Sequence, residues 1–148
     1  MNKSALHEVS SPFVMEVERG KIHEFARAVR ASHPAYFTDR PIAPPTFLTT
    51  MAFWADLVPG SKLWDKLEID QKRLLHAEQE YVFHGPPPRA GTKLTCQSKI
   101  ADIYEKEGRR GGTLTFVVMV TEFRDETGKL VAEARSTGVE TAKKEEAR

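Results

Sequence analysis

The sequence predicts an α+β domain in which one long antiparallel sheet wraps a single apolar helix, and three observations predict it. Residues 46–58 are apolar on every side of a helical wheel, as expected of a buried helix. Four strand-like runs follow, the later ones joined by turn-forming segments. No repeat or linker interrupts the chain, whose 148 residues suit one domain burying roughly 70% of its unfolded surface. We expect a single domain over residues 1–141 and a charged, disordered tail over 142–148.

Phe13, Met15 and Val17 alternate with Val14, Glu16 and Glu18, which predicts a short edge strand. Ile22, Phe25, Ala26 and Val29 then recur at the i, i+3, i+4, i+7 spacing of one helical stripe, predicting an amphipathic helix between Gly20 and Arg30. From Ala31 to Pro45 the prolines at 34, 41, 44 and 45 remove backbone donors and disfavour helix in the residues before them. That stretch is an irregular overhang.

The apolar helix over Thr46–Val58 can start at Pro45 or Thr46 and must stop at Pro59-Gly60. Ser61–Arg73 reads as a loop with a helical turn. The strand-like runs are Leu74–His84, Thr92–Tyr104, Thr113–Arg124 and Leu130–Glu140. In the second, Leu94, Cys96, Ser98 and Ile100 share one face. The third is apolar on both faces, which places it in the middle of the sheet.

Composition narrows the function. Hydrophobic residues make up 40% and charged residues 29%, an ordinary globular balance. Lys and Arg number 22 against 21 Asp and Glu, which gives no electrostatic reason to expect a nucleic acid or an anionic membrane; Arg109-Arg110 is too small a patch. The single cysteine, Cys96, lies in an alternating apolar pattern where a free thiol serves as a small core residue. Met1–Ser11 carries Glu8 and no apolar run of the length expected of a signal peptide, and no run approaches the roughly 18 apolar residues of a membrane span. The expected location is the cytoplasm.

The order of elements, and especially Ile42-Ala43-Pro44-Pro45-Thr46-Phe47-Leu48-Thr49, resembles the MaoC-like hot-dog proteins, in particular the FAS1-like, partner-half type of (R)-specific hydratases and dehydratases. Glu24 to Val29, Leu75 to Tyr81, Arg89 to Thr92 and Thr127 to Val131 extend the resemblance over nearly the whole chain. It implies a hot-dog fold and an enoyl-thioester hydratase or 3-hydroxyacyl-thioester dehydratase, with coenzyme A or an acyl carrier as substrate carrier and no other cofactor.

Active members of that family carry Asp-x-Asn-Pro-x-His in the overhang, and this chain has Ala31-Ser32-His33-Pro34-Ala35-Tyr36 at the matching place. Only the proline is retained. Ala31 takes no proton, and a phenol with a pKa near 10 is a poor base at neutral pH. Catalytic halves also place a glycine after the Ile-Ala pair, where a backbone N–H steadies the thioester oxyanion. The corresponding residue here is Pro45, which has no N–H; Thr46 donates one only if the register shifts by one. The resemblance implies an acyl-accommodating subunit that needs a second MaoC-like chain with an intact motif, with Pro45, Thr46, Phe47, Met51, Trp54 and Arg89 as substrate-binding candidates.

Other readings stay open at this point. His33 and Tyr36 could replace the missing pair, or could simply shape the overhang. Asp56 could activate water as a helix-borne acid does in some hot-dog thioesterases, or could be an exposed acid at the helix end. Either would make this a homodimeric hydratase or thioesterase, and a third possibility is a binding module for acyl thioesters without chemistry. Arg89 with Lys93 could meet the phosphates of the carrier, or be solvated. Met51, Phe53 and Trp54 could line an acyl tunnel or fill the core. His76, Glu78, Glu80 and His84 share strand parity, but the two histidines lie roughly 27 Å apart along an extended strand, which makes a polar face a better reading than a metal site. A hot-dog sheet leaves an edge that pairs or is covered, so a dimer, identical or not, is expected.

Overall fold

In the computed structural model, which describes residues 1–109 and 111–142, a five-stranded antiparallel sheet curls around a short central helix. The predicted charged tail lies outside the described residues from position 143 onward, as does Arg110. The strands are β1 (Phe13–Glu16), β2 (Leu74–Phe83), β3 (Lys93–Glu107), β4 (Thr113–Arg124) and β5 (Leu130–Glu140). Their order across the sheet is β1-β3-β4-β5-β2. The most apolar strand, β4, is in the centre as its sequence predicts, and β1 and β2 are the two edges.

In β1, Phe13 and Met15 are buried while Val14 is exposed, the alternation of a half-buried strand. It pairs with the start of β3 from Phe13↔Cys96 to Glu16↔Lys93. The first helix, α1 (Arg19–Ala28), buries Ile22 and Ala26, and its Phe25 ring meets Phe47 edge-on. It ends in a Schellman motif: the Arg30 N–H bonds the Arg27 carbonyl at 3.0 Å and the Ala31 N–H bonds the Ala26 carbonyl at 2.8 Å. Arg30 holds φ +55° there, a place that glycine usually fills.

The overhang is irregular, as the prolines dictate. Two backbone bonds pin it to the loop before β3, from Ala43 N–H to the Pro88 carbonyl at 2.8 Å and from Ala90 N–H to the Pro41 carbonyl at 2.9 Å.

The central element differs from its sequence-based expectation. In place of a buried helix over Thr46–Val58 there is a 3-10 segment, Phe47–Met51, followed by a single α-helical turn, α2 (Ala52–Ala55). Phe47, Leu48 and Thr50 are buried, yet Phe53 is 64% and Leu57 79% exposed. The local reasons are weak helix-forming residues at Thr49-Thr50, no side-chain cap bond from Thr46, and prolines at 45 and 59 that leave too few residues for a helix to sustain itself. Ser61 closes the far end by donating to the Val58 carbonyl at 2.8 Å and to the Ala55 carbonyl.

Two apolar clusters hold the fold together. One joins β1, α1, the 3-10 segment and the sheet through Met15, Ile22, Phe47, Leu48, Leu94 and Phe123. The other sits under the loop before β2, where Leu63 and Leu67 pack on Ile100, Val117 and Met119. Trp64 lies so close to the sheet that a Cβ on Gly138 would meet its ring at 3.2 Å, which is why β5 has no side chain there. Cys96 is buried as expected, and burial pushes its thiol up to about 12. No helix among the described residues is long and apolar enough to cross a membrane.

Candidate functional site

The overhang candidates do not form an acid–base pair. His33 accepts the Ala35 N–H on Nδ1 at 3.2 Å, capping the 3-10 turn Pro34–Tyr36. That bond engages the ring's Nδ1 in capping the turn. The Tyr36 ring stands 5.6 Å from that of His33, tilted by 54°. Ala31 spends its N–H on the helix end.

At the start of the central element, Pro45 and Thr46 are exposed while Phe47 is fully buried. Phe47 is thus a core residue rather than part of an open wall. Arg89 donates from Nη1 to the Arg40 carbonyl at 3.3 Å, and its backbone bridges to Ile42. It ties the overhang down and remains exposed. The polar residues of β2 do not converge. A bulge between His76 and Glu78 shifts the register, putting His76 on the opposite face from Glu78, Glu80 and His84 and correcting the shared parity expected from sequence. Glu80 instead approaches Arg135 at 3.6 Å and His84 bonds Glu133 at 2.9 Å. Among the described residues no three such groups are placed to hold a metal.

One concave feature among the described residues is a cavity of about 430 Å³ between the central element and the inner face of the sheet, within the size range of small-molecule sites, about 300–1,000 Å³. It exists because the helix is short and presents Ala52 and Ala55 to the sheet, while β5 answers with Ala134 and Ser136. Small side chains on both sides leave the space between them empty. Met51 lines it; Trp54 instead packs on the neighbouring core, with the Lys21 ammonium 5.5 Å from the centre of its ring. At one side of the cavity Asp56 holds Lys62 at 2.8 Å, which raises the lysine above its ordinary value. The Asp56 carboxylate is thus engaged in an ion pair that is open to solvent.

The inner wall is more polar than a packed core. Tyr81, Gln79, Ser98, Thr121 and Ser136 all line it. Burial pushes the Tyr81 phenol above its ordinary value, with a hydrogen bond from the Thr49 side chain working the other way. Ser98 Oγ and Thr121 Oγ1 bond to each other at 2.7 Å. Sequence reasoning did not single out these residues. The signal was present in Ser98, a polar residue on the Leu94-Cys96-Ile100 face, and in the small residues of β5, Ala132, Ala134, Ser136 and Gly138.

Comparison with known proteins agrees with this architecture. The family described as "FAS1-like, dehydratase domain region" matches residues 6–134. A UPF0336 protein of Streptomyces griseus is 34% identical over 140 residues, covering 88% of this chain and 87% of its own. A UPF0336 protein of Mycobacterium tuberculosis is 31% identical, over 82% of this chain and 74% of its own. Among solved structures, the C-terminally truncated HadBC (3R-hydroxyacyl-ACP dehydratase) complex from M. tuberculosis superposes with a TM-score of 0.76 at 28% identity, over 94% of this chain and 99% of the other. The ChsH1–ChsH2 complex from the same organism shares the fold with a TM-score of 0.67 at 16% identity, over 97% and 89%. The chain therefore belongs to the FAS1-like dehydratase-domain family and is a MaoC-like hot-dog protein.

Proposed function

We propose that this chain is the acyl-accommodating half of a heteromeric (R)-specific enoyl-thioester hydratase or 3-hydroxyacyl-thioester dehydratase. The observation that carries this reading is the cavity under the shortened central helix, in a chain whose overhang has Ala31 and Tyr36 where the acid–base pair belongs. One half then houses the acyl chain while a second MaoC-like chain adds or removes water. The similarity to the HadBC complex supports the heteromeric part. The substrate would be an acyl thioester of coenzyme A or of an acyl carrier protein, and no other cofactor is needed.

An exposed edge of the sheet supports a place for such a partner. β2 is a ten-residue edge with residues 75–80 exposed, and an unpaired edge of that length is a template for another strand. Leu75 is 57% exposed on it, and Phe53 and Leu57 stand open on the central element. A second hot-dog chain docking on β2 and the outer side of α2 would complete the strand pairing and cover these apolar groups.

Co-expression with a MaoC-like chain that carries Asp-x-Asn-Pro-x-His tests the proposal. The expected result is a stable complex that hydrates enoyl thioesters, with neither chain active alone. Hydration by this chain alone at an ordinary enzymatic rate would overturn it.

A further inference from the structure

We infer that the acyl chain taken by this cavity carries a neutral oxygen substituent, a hydroxyl or a ketone, along its length; the inference rests on the reading of this chain as the acyl-accommodating half. Its basis is the pattern of residues across the inner sheet face. The cross-strand row Phe83–Ala132–Phe123–Cys96–Phe13 is apolar throughout, as a face turned toward a central helix should be. The next two rows break the rule. One runs Tyr81–Ala134–Thr121–Ser98 and the other Gln79–Ser136–Met119–Ile100, and every member of both except Ile100 borders the cavity.

Polar side chains on an inner face weaken a small domain unless something answers them. Ser98 and Thr121 answer each other only in part. One hydrogen bond joins them, and two hydroxyls sharing one bond retain one proton still able to donate. A plain alkyl chain would strip water from these groups and from Ser136 and Gln79 and offer nothing in return. A chain with an oxygen at this depth restores the lost bonds. Sites built to hydrogen-bond a substrate oxygen discriminate strongly against the analogue that lacks it, because their own polar groups are then left unpaired.

The spacing and charge of the wall limit the substituent further. The rows are two residues apart, about 7 Å, so the oxygen would lie about 7–14 Å from the apolar row that contains Phe13. The one cation on the cavity wall, Lys62, is paired with Asp56. No unpaired cation among the lining residues awaits a carboxylate, which favours an uncharged oxygen.

The test is calorimetric titration of the full chain, alone and with a catalytic partner, using hexadecanoyl-CoA and its 10-hydroxy, 12-hydroxy and 12-oxo forms. At least one substituted chain is expected to bind about tenfold more tightly than the plain one. In Thr121→Val/Ser136→Ala the preference should fall to within twofold, with plain-chain affinity retained or improved. Gln79→Leu, on the exposed edge strand, is a second variant that folding problems do not confound, and it should narrow the preference in the same direction. Equal affinity for all four ligands, or a preference unchanged in both variants, would overturn the inference while leaving the acyl-accommodating role intact. Failure of every chain to bind, with and without the partner, would overturn that role and the inference together.

Discussion

The Phe25 ring of α1 meets the Phe47 ring edge-on, with centroids 5.6 Å apart and planes at 85°. This contact fastens the amphipathic helix to the central element, and Phe47 is fully buried beneath it. Truncating Phe47 to alanine should cost about 3–5 kcal/mol, the range for a large buried aromatic. A double-mutant cycle with Phe25→Ala should return a coupling of about 0.5–1.5 kcal/mol. Urea denaturation of the four proteins measures both. A loss below about 1 kcal/mol for Phe47→Ala would mean that Phe47 is not the core anchor described.

That anchor is also where sequence and structure part company. The five strands were legible because alternation and turn residues act locally, and β4 was recognisable as central because both of its faces are apolar. The central helix was misread in length. Apolar residues on every side suggest complete burial, but periodicity does not say whether the sheet or a second chain covers Phe53 and Leu57. The bulge between His76 and Glu78 left no mark in the pattern, because a single inserted residue reverses the face of those before it. The cavity was invisible for a related reason: it depends on Ala52 and Ala55 standing opposite Ala134 and Ser136, a coincidence of two segments far apart in the chain.

Arg30 ends α1 in the left-handed region at φ +55°, where a Cβ crowds the neighbouring carbonyl. Arg30→Gly removes that crowding while keeping the two backbone bonds of the motif. Part of the gain is offset by the greater freedom of glycine in the unfolded chain. The expected outcome is a stabilisation of about 0.5–1 kcal/mol, read as a higher midpoint in thermal denaturation, whereas a lower midpoint would show that the Arg30 side chain contributes more than its backbone costs.

The hydroxyl of Thr50 is buried with no hydrogen-bond partner among the described residues. Such a group has lost water without replacement, and an apolar side chain of the same shape should be preferred. Thr50→Val should therefore stabilise the chain by about 1 kcal/mol. Thr50→Ser, which keeps the hydroxyl and removes a methyl, should destabilise it. The two variants moving in the same direction would contradict this account.

Burial alone would raise the Glu140 carboxyl, but the Met1 amino group at 2.8 Å, the Asp70 N–H at 3.0 Å and the Arg73 guanidinium at 2.7 Å outweigh it and hold the group below its ordinary value. The folded protein thus releases this proton more readily than the unfolded chain. Stability from Glu140 is fully present above the unfolded value, near 4.5, and is lost as the pH falls through the lower folded value. Glu140→Gln should lower stability at pH 7 by about 1–3 kcal/mol, the range for removing a charged hydrogen-bond partner. The wild-type advantage should shrink steadily below pH 4.5. An advantage that stays constant down to pH 2 would show that the carboxylate is not the source.

The strongest discrimination between a cavity that holds substrate and one that is only a packing defect comes from filling it. Ala52 lines the space from the central element and is itself exposed, so a larger side chain there can extend into the cavity without displacing the core. In a complex with a catalytic partner, Ala52→Trp should leave turnover of a four-carbon enoyl thioester within about twofold, because the proposed role puts the reacting atoms in the other half. With a sixteen-carbon substrate, kcat/KM should fall by at least about tenfold, the price of about 1.4 kcal/mol of lost transition-state binding. A packing defect behaves in the opposite way: filling it raises the melting temperature and leaves both substrates equally well used. The ratio of long-chain to short-chain kcat/KM, measured beside the melting temperature, separates the two, and a ratio unchanged in Ala52→Trp would remove the acyl chain from this cavity.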